Sequence, residues 1–103
     1  MTFEIERRVT ANTTVTLSDS VILADTTAGA VTATLMPANS VPQGTEFTLK
    51  KVAGGNDAIL GRAGLDTING VGANFSFLAA TITSARIASD GASNWNVLAS
   101  TGV

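Results

Sequence analysis

Turn-forming residues recur along the whole of this chain and cut it into short runs, and that punctuation constrains the fold more than any other feature of the sequence. Ser18-Asp19-Ser20, Pro42-Gln43-Gly44, Gly54-Gly55-Asn56-Asp57, Asn69-Gly70 and Asp90-Gly91 punctuate runs in which Thr, Val, Ile and Ala alternate. Runs this short cannot carry the 3.6-residue periodicity of an amphipathic helix, whereas alternation with period two is the pattern of a half-buried strand. Phe3, Ile5 and Val9 alternate with Glu4, Glu6 and Arg8, with Arg7 interrupting the apolar face. Val31, Ala33 and Leu35 alternate with Thr32 and Thr34 until Pro37, which cannot donate to a ladder. Further strands are predicted over 46–52, 58–60, 65–68, 75–78, 82–88 and 95–99. Asn69-Gly70 and Asp90-Gly91 suit tight hairpins, where the central residues need positive φ.

The 103 residues suffice for one core, so the expected architecture is a single all-β domain, an antiparallel β-sandwich of jelly-roll-like form. Residues 1–12 read as an N-terminal strand or arm and 13–103 as the sandwich module. Hydrophobic residues make up 45% of the chain and charged residues 14%, more apolar material than a small monomer's core usually takes. Edge strands must be paired, covered or charged, and few charges are available here to blunt them. A symmetric oligomer answers both problems, although composition does not choose between two-fold and three-fold symmetry.

Net charge −2, with basic residues scattered as Arg7-Arg8, Lys50-Lys51, Arg62 and Arg86, offers no stripe for nucleic-acid phosphates. The charged N-terminus is unlike a signal peptide, and no apolar run reaches membrane-spanning length. The expectation is a soluble protein made in the cytoplasm, with no membrane or nucleic-acid partner.

The absence of His, Cys and Tyr removes the usual acid/base of neutral pH, the strongest nucleophile and the soft metal ligands. Three chemical readings compete with a non-enzymatic one. Gly61-Arg62-Ala63-Gly64-Leu65-Asp66-Thr67-Ile68-Asn69 fits the calcium-binding nonapeptide of parallel β-helices, and Asp57 precedes Asp66 by one repeat, but a single good repeat cannot supply six to eight oxygens. Asp19, Asp25, Asp57, Asp66 and Asp90 could furnish a hydrolase's carboxylate pair, yet nearly all sit at turns, where Asp bonds its own backbone. A Ser or Thr nucleophile would need Lys50 or Lys51 as its base. Trp95 alternates with Val97 and Ala99, which suits a core or interface anchor better than a sugar-stacking platform.

The run from Asp25 to Pro37, followed by Gly44-Thr45-Glu46-Phe47-Thr48-Leu49-Lys50-Lys51, by Asp66-Thr67-Ile68-Asn69-Gly70 and by Ser89-Asp90-Gly91-Ala92-Ser93-Asn94-Trp95-Asn96-Val97, resembles the small β-modules of tailed-bacteriophage virion proteins. Those include head decoration (cement) proteins and distal tail-fibre modules. The resemblance spans roughly residues 13 to 99 in order and implies a homotrimer on the capsid exterior, with the major capsid protein as partner, no cofactor and no catalysis. A tail-fibre receptor-binding module and a calcium-binding β-module are the alternatives. A first strand opening directly at Met1 favours decoration over a fibre module. Under this reading Phe47, Leu49, Ile87, Trp95 and Val97 are expected at the trimer interface, and Phe3, Ile5, Arg7 and Arg8 on an arm touching the capsid or a neighbouring protomer.

Overall fold

A computed structural model describes residues 6–16, 19–76 and 82–102. These form ten strands and one 3-10 turn at Ala38–Ser40, so the chain is all-β. The first six strands alternate between two sheets. β1 (Glu6–Val9), β3 (Val21–Asp25) and β5 (Glu46–Ala53) lie side by side in one sheet, while β2 (Thr13–Thr14), β4 (Val31–Thr34) and β6 (Ala58–Gly61) lie side by side in the other. Each strand runs parallel to the one laid down before it in its own sheet. In the second winding Val21 pairs with Thr48 and Val31 with Ala58, each partner 27 residues further on, so both sheets advance in step.

The remaining strands close this coil. β7 (Thr67–Ile68), β9 (Ile82–Ser89) and β10 (Asn94–Gly102) complete a six-stranded sheet of order β1-β3-β5-β9-β10-β7, and β8 (Phe75–Ser76) completes a four-stranded sheet of order β2-β4-β6-β8. Here the direction reverses, since β9 pairs antiparallel with both β5 and β10, and β8 antiparallel with β6.

The antiparallel expectation is therefore corrected, because five of the eight pairings among the described residues are parallel. The physical reason is that alternation with period two reports which face a side chain takes and is silent about the direction of the neighbouring strand. A turn rich in Gly, Asn and Asp can fold a strand back on itself or carry it across to the other sheet. Parallel neighbours need a long crossover, and in this chain a strand of the opposite sheet serves as that crossover.

The inward faces of both sheets merge into one buried cluster. Val15, Val31, Ala33, Leu35, Ala58 and Leu60 meet Ile22, Ala24, Phe47, Leu49, Ala85, Ile87 and Trp95 there. Fully burying a Leu, Ile or Phe side chain contributes roughly 1.5–3 kcal/mol, so these positions carry the fold. They include four of the residues expected at a trimer interface. Phe47, Leu49, Ile87 and Trp95 are at most 3% exposed within a single chain, and Val97 packs partly buried against them. The first four side chains thus serve the protomer's own core, while Val97 keeps part of its surface exposed.

Candidate functional site

β1 is an edge strand held in register with β3, not a free arm. Arg7 faces inward, as its partner Ile22 does, and its fork closes on Asp19. Nε donates to Oδ1 at 3.1 Å and Nη2 to Oδ2 at 2.9 Å. Nη1 donates to Thr13 Oγ1 at 2.8 Å and Nη2 also to the Thr14 carbonyl at 3.1 Å, which ties the six-stranded sheet to β2 of the other. The Asp19 side chain is only 4% exposed, and the Thr16 amide donates to its Oδ2 at 2.9 Å. Burial pushes the Asp19 carboxyl up, but the Arg7 and Thr16 hydrogen bonds and the Arg7 charge together outweigh it and hold the group below the ordinary 3.8. Arg8 faces outward and donates to Asp25 Oδ2 at 2.9 Å. Both arginines expected on an arm are thus committed within the chain, while Phe3 and Ile5 lie outside the described residues.

The corners between sheets are stacked on one another by side chains. Asp25 accepts the Thr27 amide at 3.0 Å and the Thr27 hydroxyl at 2.6 Å. These bonds, Thr27's hydroxyl first, lower its pKa, with Arg8 adding to them. The buried Thr26 donates its amide and hydroxyl to the Ala53 carbonyl at 2.9 and 3.1 Å, and Asn56 Nδ2 donates to the Thr26 carbonyl at 2.8 Å. Asn12 accepts the Thr32 amide at 2.9 Å, and Asn74 accepts the Arg62 amide at 3.0 Å. Of these asparagines the sequence marks only Asn56, beside the turn glycines Gly54 and Gly55, and no local pattern says which distant backbone group each one reaches.

The closing segment Ser89 to Val97 locks the loop that precedes β5. Trp95 Nε1 donates to the Met36 carbonyl at 3.0 Å, and the buried Ser89 hydroxyl donates to the Ala38 carbonyl at 2.8 Å. Asp90 Oδ1 accepts the amides of Ala92, Ser93 and Asn94 at 2.8, 3.0 and 3.1 Å. Those amides, Ala92's foremost, lower its pKa. Asn94 Oδ1 accepts both the Thr67 hydroxyl at 2.7 Å and the Gly70 amide at 2.9 Å, which fastens the β7 turn to β10.

The carboxylates weighed for chemistry therefore work separately. Asp66 Oδ2 accepts the Ala38 amide at 2.8 Å, closing the start of the 3-10 turn. Asp19, Asp25 and Asp90 each hold a different turn. Among the described residues no three acidic side chains gather as a metal-binding group, and no cavity opens. Lys51 points inward, nearly buried, with Nζ 3.4 Å from the Asn56 carbonyl. Among the described residues, the large apolar side chains most exposed to solvent are Leu65, Val71, Leu98 and Val52. Three of them flank the β7–β10 edge. Leu65 precedes β7, Val71 bridges to Ile68, and Leu98 sits at a register irregularity of β10.

The sequence matches no family model and no curated protein.

Proposed function

We propose that this chain is a structural virion protein, a homotrimer of β-sandwich-like modules that decorates and stabilises a bacteriophage capsid from outside through contacts with the major capsid protein. The observation that carries the reading is the β7–β10 edge. β7 is two residues long and pairs with Asn94 and Trp95, so among the described residues no strand pairs with the outer side of β10 beyond that point. Leu65, at 92% exposed, and Val71, at 59%, stand beside the same edge. An open strand edge rimmed by apolar side chains suits association with identical neighbours, which would bury both. The segment that resembles virion modules most specifically, Asp90 to Val97, supports the reading differently. Its side chains hold the loop before β5 and the β7 turn, work that a mechanically rigid module requires.

Bridging several capsid subunits at once multiplies modest contacts through effective concentration. Sedimentation of the full chain, followed by binding to expanded and unexpanded capsid shells in electron micrographs, tests the proposal. A trimer that adds regular density to shells and raises their resistance to heat or chelation is the expected result. A monomer without shell affinity overturns it, and a trimer that binds host cells instead of shells moves the reading to a tail-fibre module.

A further inference from the structure

We propose that Asn69 is a deamidation site that the fold holds closed through Asn94, an inference that does not depend on the virion reading. Asn69 is the one asparagine in the chain followed by glycine, and it is exposed. In an Asn-Gly pair the glycine nitrogen can attack the asparagine side-chain carbon with no Cβ in its way. The new C–N bond closes a succinimide as the side-chain nitrogen leaves as ammonia, taking up the proton lost from the backbone nitrogen. Water then adds to either ring carbonyl and opens the ring to aspartate or isoaspartate.

The native turn opposes the first of these steps at each atom involved. Asn69 and Gly70 both take positive φ, 54° and 78°, in a two-residue turn closed by reciprocal Ile68–Val71 hydrogen bonds of 3.0 Å. The Asn69 amide donates to the Trp95 carbonyl at 2.7 Å. The attacking atom itself, Gly70 N, donates its proton to Asn94 Oδ1 at 2.9 Å. To react, that nitrogen must lose a proton already engaged and swing toward its neighbour's side chain, which breaks the bond to Asn94. Closure therefore proceeds from a locally opened turn, and its rate follows the opening equilibrium. Isoaspartate would insert an extra backbone methylene into a turn of two residues, so the reciprocal Ile68–Val71 pair could not re-form. Either product also places a negative charge on the exposed turn, in the segment that carries Leu65 and Val71.

The test follows isoaspartate and aspartate at position 69 by peptide mapping and mass spectrometry during incubation at mildly alkaline pH. Wild-type protein is compared folded and in denaturant, alongside Asn94→Ala and Asn94→Asp, the latter keeping an acceptor oxygen for Gly70. Folded wild type should react at least about fivefold more slowly than unfolded chain, the factor a single net hydrogen bond contributes to an opening equilibrium. Asn94→Ala, verified as folded by circular dichroism, should lose about that factor, and Asn94→Asp should retain it. Equal rates for folded and unfolded wild type overturn the proposal, as does a folded Asn94→Ala that reacts no faster than wild type. The wild-type comparison stands by itself where Asn94→Ala does not fold.

Discussion

Gly54 lies against the backbone of Thr26 so closely that a Cβ on Gly54 would sit 2.3 Å from the Thr26 carbonyl carbon. The contact stacks the corner after β5 on the corner after β3, one winding earlier. Gly54 also takes φ +92°, a conformation that L side chains rarely adopt. Gly54→Ala combines a backbone clash with that strain and should destabilise the chain by about 3 kcal/mol or more. Its neighbour Gly55 faces open space, so Gly55→Ala should stay within about 0.5 kcal/mol of wild type. Urea unfolding of the two variants checks the contrast. Equal losses would mean that the corners do not stack as described.

Trp95 joins two parts of the chain that are distant in sequence, its ring in the core and its indole N–H on the Met36 carbonyl. Trp95→Phe removes the hydrogen bond, leaves the Met36 carbonyl without that donor and opens a void where the larger ring had been. A loss of about 2 kcal/mol or more is expected. Thermal unfolding measures it, and a near-neutral result would show that the loop around Met36 does not depend on β10.

Acid should weaken the Arg7–Asp19 clamp. Asp19 is held below its ordinary 3.8 in the folded chain, so its contribution is present above the unfolded value and is lost as pH falls through the lower folded one. Asp25 and Asp90 are lowered as well and act in the same direction. Stability should therefore hold from neutral pH to about 4 and fall below it. In Asp19→Asn the fall should be shallower, because one of the coupled carboxyls is gone. Denaturant midpoints across the acid range decide this, and an unchanged slope in Asp19→Asn would remove the Arg7–Asp19 clamp from the account.

Strand existence was legible in the sequence because burial dictates alternation. Val31, Ala33 and Leu35 face inward and Thr32 and Thr34 outward, as their order predicts. The positive φ at Asn69 and Gly70 likewise follows from residue chemistry, whereas Asp90-Gly91 opens a four-residue loop in which only the glycine takes positive φ. Strand direction was not legible, since Gly54-Gly55-Asn56-Asp57 is an equally good hairpin or corner until Thr26 is known to lie beneath it. That Phe47, Leu49, Ile87 and Trp95 fill the core of a single chain was not legible for a related reason. A buried apolar face looks the same in sequence whether the opposite sheet or another chain covers it, and only the second sheet's position distinguishes them. Arg7 is the reverse case. Its charge on an apolar face suggested a contact outside the chain, and its partner Asp19 sits in a turn beyond the reach of any local pattern.

Ile87 and Leu98 separate core from association in a single experiment. Ile87 is fully buried between the sheets, so Ile87→Ala should lower chain stability by about 2–5 kcal/mol. Leu98, 47% exposed at the irregularity in β10, contributes little to the core, so Leu98→Glu should leave chain stability within about 0.5 kcal/mol. If the β10 edge is where copies meet, placing a charge there three times around a symmetry axis should raise the dissociation constant by roughly tenfold or more. Sedimentation velocity over a concentration series reads the association, and urea unfolding at a concentration where the protein is monomeric reads the chain. Leu98→Glu that weakens neither would place any subunit contact elsewhere on the molecule. Leu98→Glu that unfolds the chain would make Leu98 a core residue despite its exposure.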